Sequence, residues 1–322
     1  MRGFQNCARV ALVAATLWTC AAAAAEPTPI EQTPAPIHAY APSEMILGAT
    51  RAGQRLVAVG DHGVVLLSDD EGRNFRQARA VPTSATLTAV SFSDARNGWA
   101  VGHWGVILHT IDGGETWALQ RSDTSVDQPL FAVHFSDAEH GVAAGLWSLL
   151  LVTADGGRTW KPVVLPPPPG GKRADRNLFA IFADHKNSLF IAAEKGTVLR
   201  SDDNGASWSY LNTGYRGSFW TGCALRDGTL LVAGLRGTVY RSADGGSTWN
   251  AVPSGTESSI TDIIDDGGQV VAVGLDGTQL RSRDDGRTFS ATQRDDRLVL
   301  TALVAAPDGA LRLFSMNGVV KP

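Results

Sequence analysis

The chain has 322 residues, 28 Lys and Arg against 32 Asp and Glu, a formal charge of −4, and three cysteines. No basic block suits nucleic acid, and past the first 25 residues no apolar run approaches the length of a membrane helix. The length is ample for a large core, and a single all-β domain of this size is ordinary.

Residues 1–25 read as an export signal: Arg2 and Arg9, an apolar stretch from Val10 to Trp18, then a small-residue cleavage site at Ala23-Ala24-Ala25. This predicts a periplasmic or secreted protein, with a lipoprotein anchored at Cys20 as the alternative. Cleavage near Ala25 removes two arginines, taking the charge to −6, and leaves Cys223 as the sole cysteine, so no intramolecular disulfide is available. Residues 26–41 carry Pro27, Pro29, Pro34 and Pro36, with Pro42 following, and predict extended chain. Residues 42–322 form the third region, a repeat domain. It is interrupted, not divided, by Pro166-Pro167-Pro168-Pro169-Gly170-Gly171.

The repeat is a phrase of Ser or Thr, any residue, Asp, any residue, Gly, two residues, then Trp or Phe. Its six copies place Asp at Asp70, Asp112, Asp155, Asp203, Asp244 and Asp284. The aromatics are Phe75, Trp117, Trp160, Trp208, Trp249 and Phe289. A period of about 40 residues marks a stacked or radial repeat. The second unit shows the elements: strands at Leu87–Phe92, Gly98–Gly102, Val106–His109 and Thr116–Leu119, with a hairpin tip at His103-Trp104-Gly105. Four short antiparallel strands per unit predict an all-β propeller. Tips near His62, Trp104, Trp147, Lys195, Arg236, Asp276 and Asn317 count seven blades, with six as the alternative. The seventh unit lacks the Asp phrase, so residues from Ile37 to Tyr40 are expected to supply its outer strand and protect the edge. The repeated Asp, Ser or Thr and Gly suit a turn, and the aromatic suits packing between sheets. The six Asp residues are therefore read as structural, with no metal.

The phrase is the Asp-box, or BNR repeat. The run Phe92-Ser93-Asp94-Ala95-Arg96-Asn97-Gly98-Trp99-Ala100-Val101-Gly102, followed by Gly105-Val106-Ile107-Leu108 and Asp112-Gly113-Gly114-Glu115-Thr116-Trp117, resembles the photosystem II stability/assembly factor family of seven-bladed propellers. The resemblance spans about residue 44 to the C-terminus. It implies a non-enzymatic factor that holds a membrane-protein intermediate through an arginine-rich patch. Similar chains occur in bacteria that do not photosynthesise, so it implies a class of role more than a partner. Arg200, Arg241 and Arg281 recur at one place in three consecutive units and are the candidate patch, against a reading as strand-end residues paired with Asp202, Asp203 or their counterparts.

The hairpin tips differ from one another while the Asp phrases are alike. In a propeller the tips share one face with the blade-to-blade connections, and loops on a rigid scaffold carry function. Partner binding is therefore assigned to His103, Trp104, Trp147, Lys195, Tyr215, Arg216, Trp220 and Arg236, residue types that include the usual binding anchors. The alternative for the two tip tryptophans is folding over the channel mouth. The partner is expected to be a membrane or cell-envelope protein, and the chain a monomer without cofactors. The runner-up is a carbohydrate-active propeller, a lectin or a sialidase-like hydrolase. Against it, the sialidase start Phe-Arg-Ile-Pro is missing, and only Glu194 and Glu257 could reach the face that carries Tyr215. Cys223 has no His or Asn nearby in sequence and reads as an inert buried thiol.

Overall fold

The computed structural model describes residues 32–321. The export signal and Cys20 lie outside the described residues. Seven antiparallel sheets follow one another along the chain, and each is hydrogen-bonded in sequence order. Their inner strands are Ile46–Ala52, Leu87–Phe92, Leu130–Phe135, Leu178–Ala183, Phe219–Ala224, Ile260–Asp265 and Leu300–Ala305. Successive inner strands touch, and the seventh touches the first, which closes the ring. The seven-bladed reading holds, and the second unit's strands fall within two residues of those expected.

Why the sheets stack is visible in the second strands. Gly98–Gly102, Leu189–Ala193, Leu230–Gly234 and Val270–Gly274 are buried along their whole length, because both faces of each blade are covered by neighbours. Each seam is a separate apolar layer. That between blades 3 and 4 joins Val142, Ala144 and Leu150 to Leu189, Ile191, Leu199 and Trp208.

The Asp-box is a closed hydrogen-bond circuit at the turn between the third and outer strands. In blade 5, Ser242 Oγ accepts the Gly246 N–H at 2.9 Å and donates to Asp244 Oδ1 at 2.8 Å. Asp244 Oδ1 also accepts the Thr248 N–H at 2.8 Å, and Oδ2 accepts the Thr248 hydroxyl at 2.6 Å. The same circuit recurs at Asp70, Asp112, Asp155, Asp203 and Asp284, with Asn74 in the place of Thr248 in blade 1. The Thr248 hydroxyl and N–H, with the Ser242 hydroxyl, hold Asp244 down to about 2. These contacts satisfy the turn's backbone internally, and Trp249 Nε1 completes it by donating to Gly246 O at 3.0 Å. The ring then packs against the preceding blade, among Phe190, Ala192 and Val198. Among the described residues no group of three His, Cys, Asp or Glu is placed to hold a metal ion. Ser242 is fully buried, so Ser242→Ala strands the Gly246 donor and is expected to lower stability by about 1–3 kcal/mol. A urea midpoint equal to that of the parent would contradict the circuit's role.

One expectation is corrected. The seventh sheet has three strands, Leu300–Ala305, Leu311–Ser315 and Gly318–Val319, and residues 37–40 do not add a fourth. The N-terminal segment lies along blade 1 instead: Ala35 N–H donates to Val81 O at 3.0 Å, and Gln77 pairs with the His38 N–H and the Pro36 carbonyl. Pro34, Pro36 and Pro42 have no N–H to give a ladder. The ring is closed by apolar packing in place of that strand. Ala41, Ile46, Leu56 and Leu66 pack on Ala302, Val304 and Phe314, and Phe75 meets Phe314 edge-on at 5.6 Å.

Candidate functional site: the tip face

Six tips share one turn. His62, Trp104, Trp147, Lys195, Arg236 and Asp276 all have positive φ, between 52° and 59°, and the following residue is also at positive φ. That pair is the hairpin turn matching the twist of the flanking strands. At five tips the second residue is Gly. A Cβ on Gly237 would overlap the Thr256 carbonyl in the connection to the next blade. Blade 3 places Ser148 there at φ 61°; its hydroxyl donates to Arg176 O and accepts the Arg176 N–H, both at 3.1 Å. The connection that carries the proline insertion thus accommodates a side chain at this position through these two bonds.

A bulky residue in the left-handed region carries backbone strain, and the six tip side chains carry it in different surroundings. Trp147 is 59% exposed. It borders a hollow of about 490 Å³ formed with Gln128, Val164, Lys172 and Arg173 beside the proline run. Trp104 occupies the same turn position but packs partly buried on the apolar layer between blades 1 and 2. His103 lies 3.7 Å from Asp127. Lys195 borders a second hollow, of about 300 Å³, with Arg176, Tyr210 and Tyr215. Tyr215 packs against Phe219 and Tyr240 at 5.1 and 5.5 Å, and its hydroxyl accepts from Thr238 at 3.1 Å. Arg216 and Arg236 are exposed.

Trp220 is elsewhere. It is the second residue of blade 5's inner strand, where the ladder shifts register between Phe219 and Thr221. There it lines the central channel with Phe131 and Phe179, which stack at 5.7 Å. In blades 2 and 6 the equivalent residue is Thr88 or Thr261, whose hydroxyl ties to the next blade at Leu130 O or Leu300 O. Blades 3 to 5 thus replace polar ties with aromatic surface. The sequence reading missed Phe131, Phe179 and Arg176. The signal for Arg176 was available, because an insertion in a blade-to-blade connection must lie on the tip face.

The arginine stripe lies on the opposite face and ties blades together. Arg200 Nη1 donates to Gly245 O at 3.1 Å, and Arg241 Nε to Asp285 O at 2.8 Å, each in the following blade's Asp-box. Arg200 also pairs with Asp202 at 2.9 Å. Arg281 is exposed and precedes the blade that has no box. Cys223 is buried and its thiol is pushed far up by desolvation, so it is poorly reactive.

A family model described as Photosynthesis system II assembly factor YCF48 matches residues 77–167 and 119–274. A solved structure described as YCF48 bound to D1 peptide superposes with a TM-score of 0.70 at 16% identity, over 91% of this chain and 96% of that one. YCF48 from Cyanidioschyzon merolae superposes with a TM-score of 0.68 at 16% identity, over 90% and 97%. No curated protein matches the chain.

Proposed function

The chain belongs to the photosynthesis system II assembly factor YCF48 family, and we propose that it holds a segment of a membrane protein on its tip face during assembly of a complex. It is a protein-binding factor and not an enzyme. Export follows from the charged, apolar and small-residue order of its first 25 residues. The relative solved with a D1 peptide suggests the kind of partner: a peptide segment of another protein.

The observation that carries the site assignment is the pairing of exposed Trp147 with two hollows on either side of the proline run. Lys172 and Arg173 line the first and Arg176 and Lys195 the second, and Arg216 and Arg236 are exposed on the same face, on a chain whose formal charge is −4. Within this arc Asp175 pairs with Arg173 at 3.4 Å, and Glu194 is occupied by Asn177. Such a surface favours a partner segment carrying both carboxylates and an apolar side chain. Anisotropy titration of labelled D1 peptides tests it. The Trp147→Ala/Arg236→Ala variant is expected to bind about tenfold more weakly or worse, about 1.4 kcal/mol. Its melting should stay within about 0.5 kcal/mol of the parent, because both side chains are exposed. Equal affinity for the best-binding peptide would remove the tip face as the site.

A further inference from the structure

In six blades the Asp-box aromatic fills the seam with the preceding blade and leads into a fourth strand. Blade 7 has neither among the described residues. The consequence is visible on its second strand. Leu311 and Leu313, which face the seam with blade 6, remain partly exposed. Their counterparts are sealed: Leu56 and Ala58 in blade 1 are 0% exposed, and Val270 and Ala272 in blade 6 are 2% and 0%. Ile264, Leu298 and Val320 border the same gap, also partly exposed.

The open edge is equally specific. Val320 N–H is spent on Leu313 O at 3.0 Å. Alternation along a strand therefore turns the N–H and C=O of Val319 outward. Of the described N-terminal residues, 35–38 are bonded along blade 1, and Pro42 and Ser43 lie beside Gly318 of blade 7 without pairing to its edge as a strand.

We propose that the seam between blades 6 and 7 is a docking cleft for an extended segment of a partner protein, which adds the fourth strand to blade 7 and inserts a tryptophan or phenylalanine beside Leu311 and Leu313. The occupant's chemistry is set by the six internal copies. In each, an aromatic of about 150–250 Å² directly precedes a short strand that pairs with the third strand. Main-chain pairing supplies affinity at such an edge and the side-chain pocket supplies selectivity. This site is separate from the tip face and does not rest on it.

The probe is a dye-labelled peptide of residues 242–252, the box and outer strand of blade 5, titrated into the full chain by anisotropy. Saturable binding is expected. It should weaken at least tenfold when the peptide carries Trp249→Ala, and at least tenfold when the protein carries Val319→Pro, which removes the outward N–H. The peptide variant needs no refolded protein, so a misfolded Val319→Pro chain does not blunt the test. Absence of saturation, or indifference to the Trp249→Ala change, overturns the proposal. Loss of binding through Trp147→Ala/Arg236→Ala would place the peptide on the tip face and overturns it too. A dimer that the peptide returns to monomer would make a second copy the occupant, and equally overturns it.

Discussion

Trp208→Ala is expected to lower the free energy of unfolding by about 3–5 kcal/mol, the range for deleting a large buried aromatic. Trp208 is 8% exposed and lies in the seam between blades 3 and 4, against Val142, Leu150 and Leu199. Its Nε1 donates to Gly205 O at 2.9 Å, so the ring also holds its own Asp-box turn closed. Removing it opens a cavity between two sheets that are each pinned by their other neighbour in a closed ring, which limits collapse into the void. The sister ring of Trp160 provides an internal control. It is only partly buried, and its Nε1 reaches Gln120 Oε1 at 3.5 Å in place of a turn carbonyl. Trp160→Ala should therefore fall below Trp208→Ala in effect. Urea unfolding with unchanged slope reads both. Equal loss from the two would mean that the seams are not filled by these rings in the way described.

The blades were legible because each unit repeats one local problem with one local solution. Asp244, Ser242 and Thr248 lie within seven residues of one another, so their circuit is a property of the turn and shows in the spacing alone. The tips were legible for the same reason, since a tight hairpin needs residues that accept positive φ. What depends on contact between blades was not legible. Trp104 and Trp147 hold the same turn position, yet one rests on the layer beneath blades 1 and 2 and the other faces solvent. No local pattern distinguishes them.

The register shift in the inner strands has a similar effect. A run such as Ser218-Phe219-Trp220-Thr221 reads as simple alternation. The bulge between Phe219 and Thr221 instead turns Trp220 into the channel. The closure of blade 7 failed at the same level. An edge needing a strand and a segment free to supply one are both visible in sequence, but the competing bonds of Gln77 and Val81 are not. Arg200 and Arg241 complete the pattern. As a stripe in sequence they suggest a surface patch, whereas in the ring each reaches across to the next blade's turn.

The second large effect concerns pH. Asp262 lies in the channel wall on blade 6, where its carboxylate accepts the Leu303 N–H at 3.0 Å, the Ile263 N–H at 2.9 Å and, more weakly, the Thr221 hydroxyl at 3.4 Å. It thereby joins blades 5, 6 and 7. Burial outweighs these three donors and pushes its carboxyl up to about 6. The folded state then binds this proton more tightly than the unfolded chain, whose Asp titrates near about 3.9. The resulting stabilisation is complete below about pH 4 and is lost as pH rises through about 6. A fully dry site would give about 3 kcal/mol for a shift of about two units. Asp262 keeps some accessible surface in the open channel, so about 1–3 kcal/mol is expected.

The Asp-box carboxylates have the opposite sign: Asp155 and Asp244 are held down to about 2, so their contribution is lost only as pH falls from about 4 through about 2. Between about pH 4 and 6.5 they are silent, but two histidines are not: burial holds His134 down to about 4 and lowers His109, so their contribution to stability rises with pH and opposes that of Asp262. Asp262→Asn should leave urea midpoints rising more steeply with pH across the interval than the parent's, because only the opposing histidine contribution remains. Its overall level should fall at every pH, because an amide turns an N–H₂ toward one of the backbone donors that the carboxylate satisfied. The diagnostic is therefore the difference in slope, and a variant that keeps the parent's pH dependence would show that the buried carboxyl is not the group being titrated.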